Sequence, residues 1–242
     1  MRRLLSTVLA AFVLAPSIAA GQGGTEVRLD PQEWRRLNVF FSNFAEASIE
    51  PFAPGEVPAT TLIQFGVLHN LINAFHRVQA VPGRPDQRRL SASQIGSTIM
   101  KYFGVPFTRH QSLDGDYAWI EYAGGYYVFP LTGGETYPFV QVDRLGDVGN
   151  GELIASLSTY RIPEEDDADR YGIPVEQLRR TGHEVELQGR MRARIRRVRE
   201  NGEERYVLLG YALVFDLPTG APVTSPIPAA STGSRPAPAN PS

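Results

Sequence analysis

The sequence predicts an α+β domain, with helices first and a run of antiparallel strands packed against them. Two observations carry that reading. Up to Gly104 the apolar residues recur at helical spacing behind N-cap signals. Beyond Gly104 they fall into aromatic and β-branched arms separated by glycine turns.

The first helix opens on Asp30, Pro31 and Glu33, an N-cap, a first-turn proline and a capping-box carboxylate in order. Trp34, Leu37, Phe41 and Phe44 then share one face. The second helix starts at Thr60 or Thr61, with Gln64 placed to cap back to Thr61, and runs through Phe75. Its buried face is Leu62, Phe65, Leu68, Ile72 and Phe75. The third starts at Ser91 with Gln94, carries Ile95, Ile99 and Phe103, and stops at Gly104.

Strands follow. "YAWIEYAGGYYVFPL" reads as a hairpin on Gly124-Gly125. "YPFVQVDRL" and "ELIASLSTYRI" flank the turn "GDVGNG", and "GRMRARIRRVR" and "RYVLLGYALVF" flank Asn201-Gly202. A two-residue turn there sets Glu200 against Glu203, Arg199 against Glu204, Arg194 against Leu209 and Arg192 against Tyr211. Residues 163–184 hold the acidic run "EEDDAD" and a short helix around Pro174–Arg180. Three N-terminal helices on a curved antiparallel sheet is the order of a cystatin-like or nuclear-transport-factor-like cone.

The chain ends are not core. In residues 1–20, Arg2 and Arg3 precede the apolar stretch Leu4 to Leu14, and Pro16, Ser17 and Ala19 set cleavage after Ala19 or Ala20. That is a signal peptide, too short in its apolar run for the about 20 residues of a span. Residues 217–242 hold seven prolines and little to bury, so they read as a disordered tail, leaving 28–216 as a single domain. With no cysteine there is no disulfide and no lipid-bearing thiol. A secreted or periplasmic bacterial protein is expected, with no transmembrane segment in the mature chain. Loss of Arg2 and Arg3 moves the net charge from −2 to −4, which gives no reason to expect nucleic-acid binding.

"LNVFFSNFAE", "IQFGVLHNLINAF", "IGSTIMKYFGV", "GGYYVF" and "GNGELIASLSTYRI" resemble segments of a family of uncharacterised exported proteins of Gram-positive bacteria, many of them lipoproteins. The resemblance spans roughly Trp34 to Phe215. It implies export and brings no activity. The missing anchor cysteine means that it does not imply membrane tethering.

Candidate chemistry centres on "FGVLHNLINAFHRV", where His69 and His76 fall near the apolar face and Asn73 is a helical neighbour of both. Two readings stand: imidazoles satisfied by backbone or Asn73 at the core margin, or a ligand pocket lined by His69, Asn73 and His76. No metal site is expected, because zinc wants further ligands and the spacing of His110 and His183 supplies none. Arg190, Arg192, Arg194 and Arg196 share one strand face, either as a polyanion site or as a solvated face with apolar stems.

Asp167, Asp169 and Gly172 begin a calcium-loop pattern that fails at Tyr171 and Leu178. Asp116 and Glu121 lie near His110 in sequence, and Tyr122, Tyr126, Tyr127 and Phe129 offer rings for sugar stacking or for a core. Hydrolase, P-loop and dinucleotide signatures are missing, so no cofactor is expected. The expected function is a non-catalytic envelope domain binding a ligand or protein partner. The alternative is a small envelope enzyme with His69 or His76 as general base.

Overall fold

Each helix forms at its sequence signal, and α2 is the one whose ends shift. The structure is a computed structural model that describes residues 24–114, 119–131, 136–163, 168–200 and 202–214. The segment expected to be a signal peptide, the proline-rich tail, Asp116, Asp167 and Asn201 lie outside the described residues.

Helix α1 (Pro31–Glu46) is capped by the Asp30 carboxylate, which accepts from Glu33 N at 2.8 Å. Glu33 does not complete a capping box. Its carboxylate accepts from the Tyr206 hydroxyl and pairs with Arg36 at 3.3 Å. Helix α2 (Ala59–Asn73) has no side-chain cap. Gln64 does not reach back to Thr61 but donates to Ala47 O and Ser48 O, at 3.1 and 3.2 Å. These carbonyls follow the end of α1, where the helix itself leaves acceptors unpaired.

Helix α2 ends two residues short of Phe75. Ala74 leaves the helical region at φ −143°, and a 3₁₀ turn (Phe75–Arg77) turns the chain, leaving Phe75 51% exposed. The expected single apolar stripe is corrected too. Ile63, Val67 and Leu71 are buried beside Leu62 and Phe65, while Leu68 and Ile72 are half-buried, because α2 packs against both α1 and the third helix. Helix α3 (Ala92–Phe103) has the full Ser91–Gln94 capping box and ends on Gly104 at φ 68°. A Cβ on Gly66 would come within 2.7 Å of Ile95, so that glycine permits the close α2–α3 approach.

Two antiparallel sheets complete the α+β fold. An unanticipated hairpin, β2 (Gln79–Val81) and β3 (Arg84–Ser91), lies between α2 and α3. It turns on Pro82-Gly83, with Gly83 at φ 75°. Its alternation is mostly polar and charged, and only Leu90 is fully buried, so no strand pattern marks it. The hairpin on Gly124-Gly125, β4 (Glu121–Ala123) and β5 (Tyr126–Pro130), forms as expected but pairs with β3 in a separate four-stranded sheet.

The larger sheet runs β1 (Thr25–Glu26), β6 (Phe139–Gly149), β7 (Glu152–Arg161), β8 (Glu186–Glu200) and β9 (Glu203–Val214), in that order. The β6–β7 turn is Asn150-Gly151 at φ 55° and 72°, so "GDVG" extends the strand. Helix α4 (Val175–Arg180) packs with Phe139 and Ile162 in a second, smaller core.

Extra residues interrupt the ladders at Asp143, Val148, Gln188 and Leu209, and such bulges bend and twist a sheet. The one at Leu209 shifts the expected register: Glu200–Glu203 and Arg199–Glu204 pair, but Arg194 meets Gly210 and Arg192 meets Ala212. The chain before α2 covers this edge. Phe52 and Tyr211 exchange backbone bonds of 2.8 and 3.0 Å. Pro54 sits so near Gly210 that a Cβ there would come within 2.8 Å.

Helix α1 covers the other side. Beyond its short pairing with β1, β6 turns unpaired backbone toward the helix. Ser42 Oγ accepts from Val140 N and Asn38 Oδ1 from Val142 N, both at 2.8 Å, while Trp34 Nε1 donates to Val142 O at 3.0 Å. Asn38 also donates to Tyr171 O at 2.9 Å and is fully buried. Asn38→Ala should therefore strand a buried donor and a buried acceptor and lower the unfolding free energy by about 2–4 kcal/mol. Urea unfolding tests this, and a loss below about 1 kcal/mol would show that water replaces the amide.

Candidate functional site

Where α1 ends, the chain turns across one face of the larger sheet and leaves a cleft of about 370 Å³. Ser48 adopts φ 47° at this turn, a left-handed conformation costly for a residue with a Cβ. The floor is apolar: Phe44 and Ile49 from the helix side, Met191 and Tyr211 from the strands. Burial pushes the Tyr211 hydroxyl well above the usual phenol range, so it stays neutral.

Strand β7 alternates Leu153, Ala155 and Leu157 inward, and continues the same face with Thr159 and Arg161. Thr159 is only 8% exposed, and its Oγ1 is buried without a hydrogen-bond partner. Opposite it stands Gly189, where an added Cβ would meet nothing within 4 Å. At the mouth, Arg161 Nε donates to Thr136 Oγ1 at 3.0 Å, and Gln188 and Leu213 complete the rim.

The residues singled out in α2 do not share this cleft. His69 lies with its ring parallel to Phe65, centroids 5.3 Å apart, and 4.6 Å from the Tyr102 ring. Only 8% of it is exposed, and Nδ1 is buried without a partner. Burial, helped by the positive charges of Lys101 and Arg77, pulls its pKa from 6.5 down to about 4. Asn73 turns to Glu46 instead, donating to Oε2 at 2.7 Å. His76 stands exposed in the 3₁₀ turn. The three are therefore not gathered on one surface.

The arginine row keeps its common face, and an acid meets part of it. Glu152 lies beside Arg196 and accepts from Arg194 and Arg196 at 2.6 Å each. The Arg196 bond, joined by that from Arg194, holds the Glu152 carboxyl below its ordinary range. Arg192 faces Ser156, and Arg190 faces Ser158, whose hydroxyl donates to Asp143 at 2.7 Å.

Elsewhere, His110 Nδ1 bonds the Tyr127 hydroxyl at 2.8 Å and stacks on Tyr122. Tyr127 and Phe129 are buried in the core, and Arg89 lies over Tyr126, so these rings are taken up by packing. Asp169 pairs with Arg35 and caps Gly172 N at 3.1 Å. Among the described residues, no group of three acidic, histidine or cysteine side chains could hold a metal, and no helix is long and apolar enough to cross a membrane.

The ring of His69 gives a prediction with a definite sign. The unfolded chain takes up a proton below pH 6.5 that the folded chain refuses until about pH 4. Stability from this residue is complete above pH 6.5 and declines through that window, by about 2–3 kcal/mol between pH 7 and 4.5. His69→Phe should lose that much less on acidification, as measured by urea midpoints at the two pH values. Equal acid losses in the two proteins would mean that the ring protonates as it does in water. Compared with protein-family models, curated proteins and solved structures, the chain matches none.

Proposed function

We propose that this is an exported, non-catalytic binding domain of the bacterial envelope, secreted or periplasmic, that holds a small ligand between the end of α1 and the larger sheet. One observation carries the reading: the cleft joins an apolar floor to a polar mouth, with an unpartnered hydroxyl on its wall. Binding pockets combine such features, and this volume lies at the small end of their range. The bulges of the larger sheet support the cone architecture expected from element order, since bulges bend a sheet. Export rests on the Arg2–Ala20 pattern.

The cleft lends the enzyme alternative no support through its two candidate bases. His69 is a weak base clamped between two rings, and neither it nor His76 lines the cleft. No other observation favours catalysis.

Export is checked by sequencing the N-terminus of the protein recovered outside the cytoplasm, which should begin at Ala20 or Gly21. A chain still carrying Leu4 to Leu14 would contradict it.

Binding is checked with Gly189→Leu, which adds a side chain where the strand leaves open space and no positive φ is strained. In a thermal-shift screen of small apolar acids, alcohols and amines, hits on the natural chain should raise Tm by several degrees when present at about 100 Kd. Gly189→Leu should fold and lose those shifts. Identical shifts in both proteins would place binding elsewhere.

A further inference from the structure

We propose that the ligand of this cleft is an anionic amphiphile, a carboxylate on a short apolar chain, whose head lies between Arg161 and Thr159 and whose chain runs over Phe44, Met191 and Tyr211. This rests on the cleft reading above and specifies its chemistry.

The electrostatics come first. Of the described residues that line the cleft, Arg161 alone is charged, and no acidic side chain joins it. Its Nε is tied to Thr136 Oγ1 at 3.0 Å, which fixes the guanidinium plane at the mouth. No carboxylate among the described residues forms an ion pair with it. Other arginines of the same sheet do find acids: Arg194 and Arg196 on Glu152, Arg197 on Glu204, Arg205 on Glu200. A planar guanidinium held by one edge still presents donors, and a carboxylate is the group that takes two of them in parallel.

Thr159 supplies the second, independent observation. Three buried side-chain atoms among the described residues lack a partner, and of these Thr159 Oγ1 alone belongs to a residue lining this cleft. A buried hydroxyl without a partner is destabilising. A head-group oxygen at Arg161, two residues along the same strand face, lies on the side where this O–H can donate. Deeper in, the walls are aromatic, aliphatic or thioether, and Gly189 leaves the space above its strand open. The volume of about 370 Å³ favours a short chain over an oligosaccharide or a two-chain lipid.

The acidic run that starts at Glu164 follows Arg161 by three residues in sequence. A site that used it would select a cation, so the sign of the ligand charge is the discriminating measurement.

The test is calorimetric titration of the full mature chain with octanoate, 1-octanol and octylamine. Octanoate should bind at least tenfold more tightly than either of the others. Arg161→Gln should weaken octanoate about tenfold and leave octanol unchanged. Thr159→Val should weaken octanoate several-fold without lowering Tm, because it replaces an unsatisfied hydroxyl by a methyl of the same shape. That separates a ligand contact from a structural one.

Octanol binding as tightly as octanoate, or an Arg161→Gln variant that keeps full octanoate affinity, would overturn the head-group assignment while leaving the cleft as a binding site. Tighter octylamine would overturn it in favour of the acidic run. If none of the three binds the natural chain, and no compound in the wider screen is lost in Gly189→Leu, the cleft reading fails and this inference with it.

Discussion

The backbone of β6 between Val140 and Val142 needs partners that no neighbouring strand provides, and α1 supplies them. Trp34, Asn38 and Ser42 recur every four residues, so they stand in one row along the helix, and each bonds that exposed edge. An unpaired edge deep in a domain leaves costly polar groups. The side chains that satisfy it also fix the axial position of α1 on the sheet. The place where α1 ends follows from that, and so does the reach of Phe44, Ser48 and Ile49 over the sheet face. The cleft is thus a consequence of how the sheet edge is closed.

Glu46 sits on the last turn of that helix, where the macrodipole disfavours an anion, yet it is 8% exposed. Burial raises its pKa, and the bonds from Asn73 and the Tyr171 hydroxyl oppose the rise. The carboxyl joins α1, α2 and the segment before α4 at one point. Its linkage has the opposite sign to that of His69. A raised carboxyl pKa means that the folded state holds the proton more tightly, so the stability it contributes is present at low pH and declines as pH rises above 4.5 through the folded value. The two buried groups therefore offset one another in acid, and only a paired comparison of variant with natural chain isolates either.

The elements that sequence reveals here are those whose signals are local. Ser91, Gln94 and Gly104 specify α3 at both ends because capping is settled within a few residues. The β8–β9 pairing next to Gly202 is equally legible, but its register holds only as far as Leu209. That bulge answers a distant contact, Pro54 against Gly210, which no nearby residue announces. The hairpin β2–β3 escaped because β3, although an inner strand, is mostly polar and charged and buries only Leu90 fully, so no apolar alternation marks it.

His69 and His76 drew attention because imidazole is chemically conspicuous, but a packed ring and a solvated one account for them. The cleft residues were less conspicuous. Thr159 and Arg161 continue the inward alternation of Leu153, Ala155 and Leu157, so the only signal was polarity arriving on a core-facing register. That signal gains meaning once Gly189 is seen opposite, because a hydroxyl beside an empty position differs from one beside a packed neighbour.

Two local costs meet at this cleft: the left-handed Ser48 and the unpartnered Thr159 hydroxyl. Neither improves packing, since glycine would relieve the first and valine the second. The well-satisfied polar groups of the same core provide the contrast. Asn38, Ser42 and Gln141 are each buried and each bonded to backbone. The chain pairs these groups along β6, yet leaves strain at Ser48 and an open Thr159 hydroxyl beside the same unfilled volume, where binding would use them. Arg161 adds a direction, because the one cation among the described residues of the lining favours one sign of ligand charge over the other.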